Sequence, residues 1–360
     1  MLTLAKIDHR LRPLLARVLP PSLFMKSYSV GRNWYMAKLA KAKFDPIEGQ
    51  FHPTELLGMS FRNDLGNAAG LDKDGLLLDF NYNLGAGFAI VGTVLNQTHT
   101  GNLISAFGRK CNPWTPLPFN DSALNSLGLP SKGIGPTIDN IKSFQDRRQP
   151  KDFPIGLSIM GHPLQEGKEK LDGVLECVKK SLGTVDFIEI NESCPNVKHH
   201  DNDSDALKER LNAIMDCRGS EKCPIFVKMG TLGDIAATLK LLSDCGVDGL
   251  VGLNTQTDYP KYQETMANGD KKLFNYYTSE HNGGLSGQLI KQHAAGELKK
   301  AADFIKAESL ALKLIHVGGI SDNGDIKASR EFADLREWYT CFMTALATQK
   351  SSEIYKNMTA

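Results

Sequence analysis

Eight short apolar runs, most of them separated by helix-length stretches, predict an α/β fold: a closed TIM-type (β/α)8 barrel behind an N-terminal helical extension. Two observations carry this. From about residue 55 most of the runs are rich in Val, Ile and Phe, as parallel strands covered on both faces should be. They also recur over about 300 residues, the length such a barrel needs. The strands are expected at 66–69, 88–94, 155–159, 186–190, 225–229, 249–253, 314–317 and 338–343. Helical intervals are expected at 164–182, 205–217, 232–245, 290–306 and 325–335. The interval 96–153 shows few helical signals before Ile138 and is expected to be a loop or small hairpin over the barrel mouth.

The first 43 residues differ from the rest. Leu4, Ile7, Leu11, Leu14, Leu15 and Val18 recur at helical spacing, and Pro20-Pro21 ends that helix. Pro13 kinks it or starts its second part. A second basic helix is expected from Ser27 to Lys43, closed by Asp45-Pro46. Nine Lys/Arg stand in this segment against Asp8 alone, so it carries +8 of a chain whose total is +1, and the remainder carries −7. The division is therefore a basic helical extension, 1–46, and a barrel, 47–360. The extension either lies on an anionic membrane surface, with Trp34 and Tyr35 suited to the interface, or covers the closed end of the barrel.

Composition excludes several classes. At 41% hydrophobic and 23% charged the chain is an ordinary globular mixture, not a disordered one. Near-neutral charge argues against nucleic acid as a partner. No apolar run approaches the roughly 18–20 residues of a spanning helix. Charges interrupt the apolar N-terminus, which argues against a secretory signal; a mitochondrial transit peptide is the alternative to a structured surface segment. Seven cysteines without a CxxC pair suit a reducing compartment and offer no metal spacing.

Active sites of such barrels lie at the C-terminal strand ends. Those ends carry Ala69-Gly70 with Lys73, Thr93, Ser158, Asn191 to Asn196, Lys228, Asn254-Thr255, Gly318-Gly319 and Met343-Thr344, with Asn125 nearby. There is no metal set and no carboxylate pair among them. Asparagine amides both donate and accept, which suits a flat ring edged with N–H and C=O groups, such as a pyrimidine. Gly318-Gly319 lets backbone N–H groups approach a phosphate, though a GG pair also makes an ordinary tight turn. Lys228 at the end of a buried strand needs a partner. Cys194 is a candidate acid/base or a small buried hydrophobe. No role is read from Trp114.

At these residues the chain resembles the dihydroorotate dehydrogenases over roughly residues 55–345. The pieces that carry the resemblance are Asn67-Ala68-Ala69-Gly70-Leu71-Asp72-Lys73-Asp74-Gly75, Gly92-Thr93-Val94, Asn125-Ser126-Leu127-Gly128-Leu129-Pro130, Asn191-Glu192-Ser193-Cys194-Pro195-Asn196, Val227-Lys228, Asn254-Thr255, Gly283 to Gly287 and Val317-Gly318-Gly319-Ile320. The resemblance implies FMN as cofactor and oxidation of dihydroorotate to orotate in pyrimidine biosynthesis. It places the pyrimidine-binding asparagines on Asn125, Asn191, Asn196 and Asn254, with Leu127, Gly128, Leu129 and Thr255 beside them. Lys73 falls where the substrate carboxylate and the flavin meet. Ala69, Gly70, Thr93, Ser158, Asn191, Lys228, Gly287, Gly318 and Gly319 fall at flavin positions, and Met343 and Thr344 at a second phosphate contact. Cys194 takes the place of the catalytic base, with hydride passing to flavin N5.

The chain combines two branches of that family. Its AAGLDKDG and GTV motifs and its basic extension resemble the membrane-associated class, which uses a quinone. Its NSLGLP motif and the cysteine of NESCPN resemble the soluble class. The expectation is a quinone acceptor and a peripheral membrane location facing a reducing compartment. The alternatives are a soluble cytoplasmic or mitochondrial enzyme passing electrons to fumarate or NAD, an FMN enzyme acting on another dihydropyrimidine, and a flavin-binding paralogue without catalysis.

Overall fold

The computed structural model describes residues 1–47, 51–192, 204–348 and 354–359. Eight parallel strands close a barrel in chain order. They are β1 (Leu65–Asp72), β2 (Ala89–Val94), β3 (Ile155–Ile159), β4 (Phe187–Asn191), β5 (Ile225–Met229), β6 (Gly249–Gly252), β7 (Lys313–Val317) and β8 (Leu335–Trp338). β8 closes the ring by pairing Trp338 with Asn67 of β1.

Glycine and phenylalanine interlock in the lower barrel. A Cβ on Gly66, Gly156 or Gly249 would stand 2.6, 2.5 or 2.8 Å from the ring of Phe88, Phe187 or Phe226. Each missing side chain makes room for a ring from the neighbouring strand. Phe88 meets Phe187 and Phe187 meets Phe226 edge-on, with ring centres 6.2 and 5.7 Å apart, inside the favourable range for aromatic pairs. The hairpin Thr54–Leu56/Met59–Phe61 plugs this end, adding Leu56 and Phe61 to the same cluster. The barrel floor is thus solid, and only the opposite end is free to hold a site.

Three boundaries differ from the sequence expectation. The eighth strand is Leu335–Trp338, not 338–343; the apolar run that follows begins the helix Thr340–Thr348. Arg336 and Glu337 hid the true strand, because both charges are buried there rather than solvated. In the N-terminal segment α1 spans Leu2–Val18, and α2 spans Pro21–Leu39 instead of starting at Ser27. Pro21 takes the first helical position, where its lack of an N–H costs nothing. The long interval is more ordered than expected. It holds the hairpin Ile104–Ala106/Arg109–Cys111, a second hairpin Trp114–Leu117/Ser122–Asn125, and the helix Ile134–Arg148. The second hairpin gains a third strand, Gly284–Gly287, from much later in the chain.

The N-terminal helices lie at the mouth, not over the closed end. Phe24 and Met25 of α2 are buried with Leu117, Leu124, Phe274 and Tyr277. Ser29 donates to the Trp114 carbonyl and accepts from its N–H, both at 3.0 Å. α1 has no buried residue, and its Leu4, Ile7, Leu11, Leu14 and Val18 are 40–63% exposed along one stripe. Among the described residues no helix is long and apolar enough to cross a membrane.

Candidate active site

The C-terminal ends of the strands open on a cavity of about 1050 Å³, counted out to its mouth. At the end of β1, Ala68, Ala69 and Gly70 reach the cavity while Leu71 and Asp72 are buried away from it. Asp72 accepts a hydrogen bond from the Leu77 N–H at 2.9 Å, which fixes the turn carrying Lys73. Burial, opposed by those backbone donors, pushes the Asp72 carboxyl up to about 7.

One wall is a relay of hydroxyls and amides. Asn191 Nδ2 donates to Thr93 Oγ1 at 3.0 Å, and Thr93 Oγ1 lies 3.1 Å from Ser158 Oγ. Asn254 Nδ2 donates to Asn191 Oδ1 at 3.3 Å, and Asn254 Oδ1 accepts from the Thr255 N–H at 2.8 Å. On the facing hairpin, Asn125 Nδ2 donates to the Gly284 carbonyl at 3.2 Å. These contacts fix which edge of each amide faces the cavity, so a flat ring meets preset donors and acceptors.

Under this wall three charges share the barrel interior. Lys228 Nζ donates to Glu189 Oε2 at 3.2 Å and to Glu337 Oε2 at 3.0 Å. The lysine is 3% exposed and both carboxylates 0%. Burial alone would lower the ammonium, but Glu189 and Glu337 overcome it and hold it above its ordinary range. Burial raises Glu337 to about 8, with Lys228 opposing and Glu189 adding.

The far side suits a phosphate. Gly287, Gly318 and Gly319 line it with φ of 98°, 125° and 81°, a region that side chains disfavour. Opposite them the first residues of the helix Thr340–Thr348 line the cavity, so their N–H groups are at hand for an anion. Thr340 Oγ1 is held 2.7 Å from Ser286 Oγ. A flat amide-edged ring with a phosphate tail fits this donor set: glycines where the backbone must approach, hydroxyls and amides along one edge, and one lysine below.

Most of the expected site residues come together here. Ala69, Gly70, Lys73, Thr93, Asn125, Leu127, Leu129, Asn191, Lys228, Asn254, Thr255, Gly287, Gly318 and Gly319 all line the cavity. Ser158 stands behind Thr93, and Gly128 packs against Asn102, where a Cβ would come within 2.6 Å. Met343 and Thr344 do not line it; they lie on the second turn of their helix and face the N-terminal segment. Tyr339, Thr340 and Cys341 take their place, a direct result of the earlier strand end. Cys194 and Asn196 lie outside the described residues. The sequence reading missed Trp114, Glu337, Tyr339 and Thr340; the partner demanded by a buried Lys228 was the available signal for Glu337.

A second cavity, about 1560 Å³, lies between α1, α2 and the mouth. Its lining is largely apolar, with Leu15, Leu19, Tyr35 and Met343 among it. Trp114, Tyr339 and Thr340 belong to both cavities. Arg32 of α2 donates to the Tyr339 hydroxyl at 3.0 Å. Asp8 bridges Arg12 and the Tyr28 hydroxyl, the latter at 2.7 Å.

Comparison with known proteins bears on this architecture. A dihydroorotate dehydrogenase (quinone) from Delftia acidovorans is 28% identical over 347 residues, covering 91% of each chain. Its namesake from Stenotrophomonas maltophilia is 26% identical over 288 residues, covering 77% of this chain and 75% of its own. The crystal structure of DHODH from Eimeria tenella in complex with ferulenol superposes with a TM-score of 0.75 at 22% identity, covering 92% of this chain and 89% of its own. The family model for dihydroorotate dehydrogenase matches residues 52–341, which is the barrel and its site, and the chain belongs to that family.

Proposed function

We propose that this chain binds FMN and oxidises dihydroorotate to orotate, passing the electrons to a quinone. The observation that carries the proposal is the pair of cavities meeting at Trp114, Tyr339 and Thr340. One carries amides and hydroxyls among its lining, as a pyrimidine requires; the other is largely apolar and lies under the basic helices, as a quinone tail requires.

Bound FMN supplies the acceptor for the hydride that leaves C6 of dihydroorotate. The chain's own residues do the rest. Cys194 takes the proton from C5, so that the C5–C6 double bond forms as both hydrogens leave. Asn125, Asn191, Asn196 and Asn254 hold the pyrimidine flat, which is catalysis by orientation. Lys73 pairs with the substrate carboxylate. Lys228 offsets negative charge that develops on the flavin's pyrimidine edge. Gly318, Gly319 and the N–H groups at Thr340 and Cys341 hold the phosphate.

The test is anaerobic addition of dihydroorotate to the purified yellow protein. The visible flavin band should bleach, and a quinone should restore it faster than fumarate or NAD does. No bleaching would leave a flavin-binding role without catalysis. Recovery with fumarate or NAD alone would overturn the quinone reading. Lys73→Ala should weaken orotate binding about 10- to 100-fold, the worth of a charged hydrogen bond at about 1.5–3 kcal/mol, and leave uracil binding unchanged. Equal losses for both ligands, measured by perturbation of the flavin spectrum, would remove Lys73 from the carboxylate.

The proposal includes a peripheral membrane contact through residues 1–43. Leu4, Ile7, Leu11, Leu14 and Val18 form one exposed apolar stripe on α1, with Lys6, Arg10 and Arg17 on the same helix. Basic residues at an anionic surface contribute about 1 kcal/mol each. The combined variant Ile7→Glu, Leu11→Glu and Leu14→Glu should lose at least tenfold in affinity for anionic vesicles while keeping its activity with a soluble dye. Vesicle binding at the wild-type level would refute the contact.

A further inference from the structure

We infer that Glu189 and Glu337 act through Lys228 to set the reduction potential of the bound flavin. This rests on the FMN reading above. The three side chains come from β4, β5 and β8 and converge inside the barrel between the aromatic floor and the cavity. Lys228 and Glu337 line the cavity, whereas Glu189 sits one inward step below, level with Phe226 while Lys228 is level with Asn191.

Three features make the cluster more than packing. First, it is costly. Two carboxylates and one ammonium are fully desolvated directly above a floor of Phe, Val and Ile, where apolar side chains would fill the space without that penalty. Second, above about pH 8, where Glu337 ionises, its charge does not cancel, because two carboxylates then face one ammonium. Third, each carboxylate uses only one oxygen on Lys228; Oε1 of Glu189 and of Glu337 is buried and accepts no hydrogen bond among the described residues. Such half-satisfied carboxylates exert a strong local field in a low-dielectric interior.

The direction of the effect follows from charge alone. Reduction adds negative charge to the flavin ring, which Lys228 stabilises. Each carboxylate withdraws part of that stabilisation by partly neutralising the ammonium and by repelling the added charge. The pair therefore holds the potential below the value Lys228 alone would confer, and also fixes the ammonium in place. Glu189 and Glu337 are positioning residues: they act on the ring through the lysine.

Sulfite adds to flavin N5 and leaves negative charge on the ring, so its affinity reports the same field without turnover. The experiment titrates sulfite into the holoenzyme, as wild type, Glu337→Gln and Glu189→Gln, at pH 9, where Glu337 carries its charge. Each glutamine variant should bind sulfite at least tenfold more tightly. The same tenfold change corresponds to a rise of about 30 mV in a two-electron potential, to be read by equilibration with a reference dye. A merely structural role would change melting temperature or flavin content and leave both readouts alone. Wild-type sulfite affinity and potential in both variants, with flavin bound, would overturn this inference only. Purified wild-type protein without a flavin band would overturn the FMN reading with it. Should Glu337→Gln fail to fold, Glu189→Gln decides the matter.

Discussion

Lys228→Met is expected to destabilise the protein by about 3–5 kcal/mol at pH 8, the cost of leaving buried charge without its partner. Methionine keeps most of the stem's volume and removes only the ammonium. Glu189 and Glu337 then share the barrel interior with no cation between them, and both are wholly buried. Ionising Glu337 then leaves it buried beside a second carboxylate with no ammonium to offset the charge. The sign of the pH dependence follows from linkage: where the folded state holds protons that the unfolded state has released, stability falls as pH rises. Glu337 already behaves this way in the wild type. Its pKa moves from the ordinary 4.5 up to about 8 through burial, so its contribution is complete below pH 4.5 and is lost as pH rises through 8. Removing Lys228 takes away the one attraction that opposes that rise. Melting temperatures at pH 5, 7 and 9 should therefore diverge from wild type, with the variant nearest to it at pH 5. Parallel curves across this range would show that the carboxylates do not depend on the lysine.

Cys194→Ala is expected to slow dihydroorotate oxidation by about 10²- to 10⁴-fold, the usual span of a general base, while the protein stays yellow. In the proposed reaction the thiolate is the form that takes the proton. Cys194 lies outside the described residues, but the chain enters that segment from a fixed point. Asn191 is tied to Thr93, and Glu192 is paired with Arg210 at 2.9 Å on the helix Ser204–Arg218. Single-turnover bleaching by dihydroorotate isolates the step. Cys194→Ser should recover part of the rate only at alkaline pH, because a hydroxyl gives up its proton less readily. A Cys194→Ala protein that bleaches at the wild-type rate would place the base elsewhere.

Much of this molecule was legible in its residues, and the exceptions have physical causes. Most of the strands announced themselves as Val-, Ile- and Phe-rich runs because both of their faces are covered. The eighth did not, since Leu335–Trp338 spends its two middle positions on charge: Arg336 pairs with Asp64 at 2.9 Å and Glu337 with Lys228. Pattern reading assumes that charge means solvent, and here both charges are buried. The error carried forward to Met343 and Thr344, which lie about one helical turn beyond Tyr339 and Thr340 and do not line the first cavity. The strand Gly284–Gly287 was equally hard to see, being short and glycine-bounded, and its partner Ser122–Asn125 lies far away in the chain. Lys73, Asn191, Lys228 and Asn254 were readable because polar residues at the ends of apolar runs have few other reasons to be there. Trp114 and Arg32 were not, because their roles arise only when the N-terminal helices fold back over the mouth.

The wall of Trp114, Tyr339 and Thr340 has a kinetic consequence for the proposed reaction. Donor and acceptor occupy separate rooms, so neither needs to leave before the other binds. Two half-reactions then alternate, and double-reciprocal plots should run parallel when both substrates are varied. Orotate should compete with dihydroorotate for one room, while an apolar blocker of the other should compete only with the quinone. Selective poisons for this protein are accordingly better sought behind the helices, where α1 and α2 shape the space, than among the asparagines.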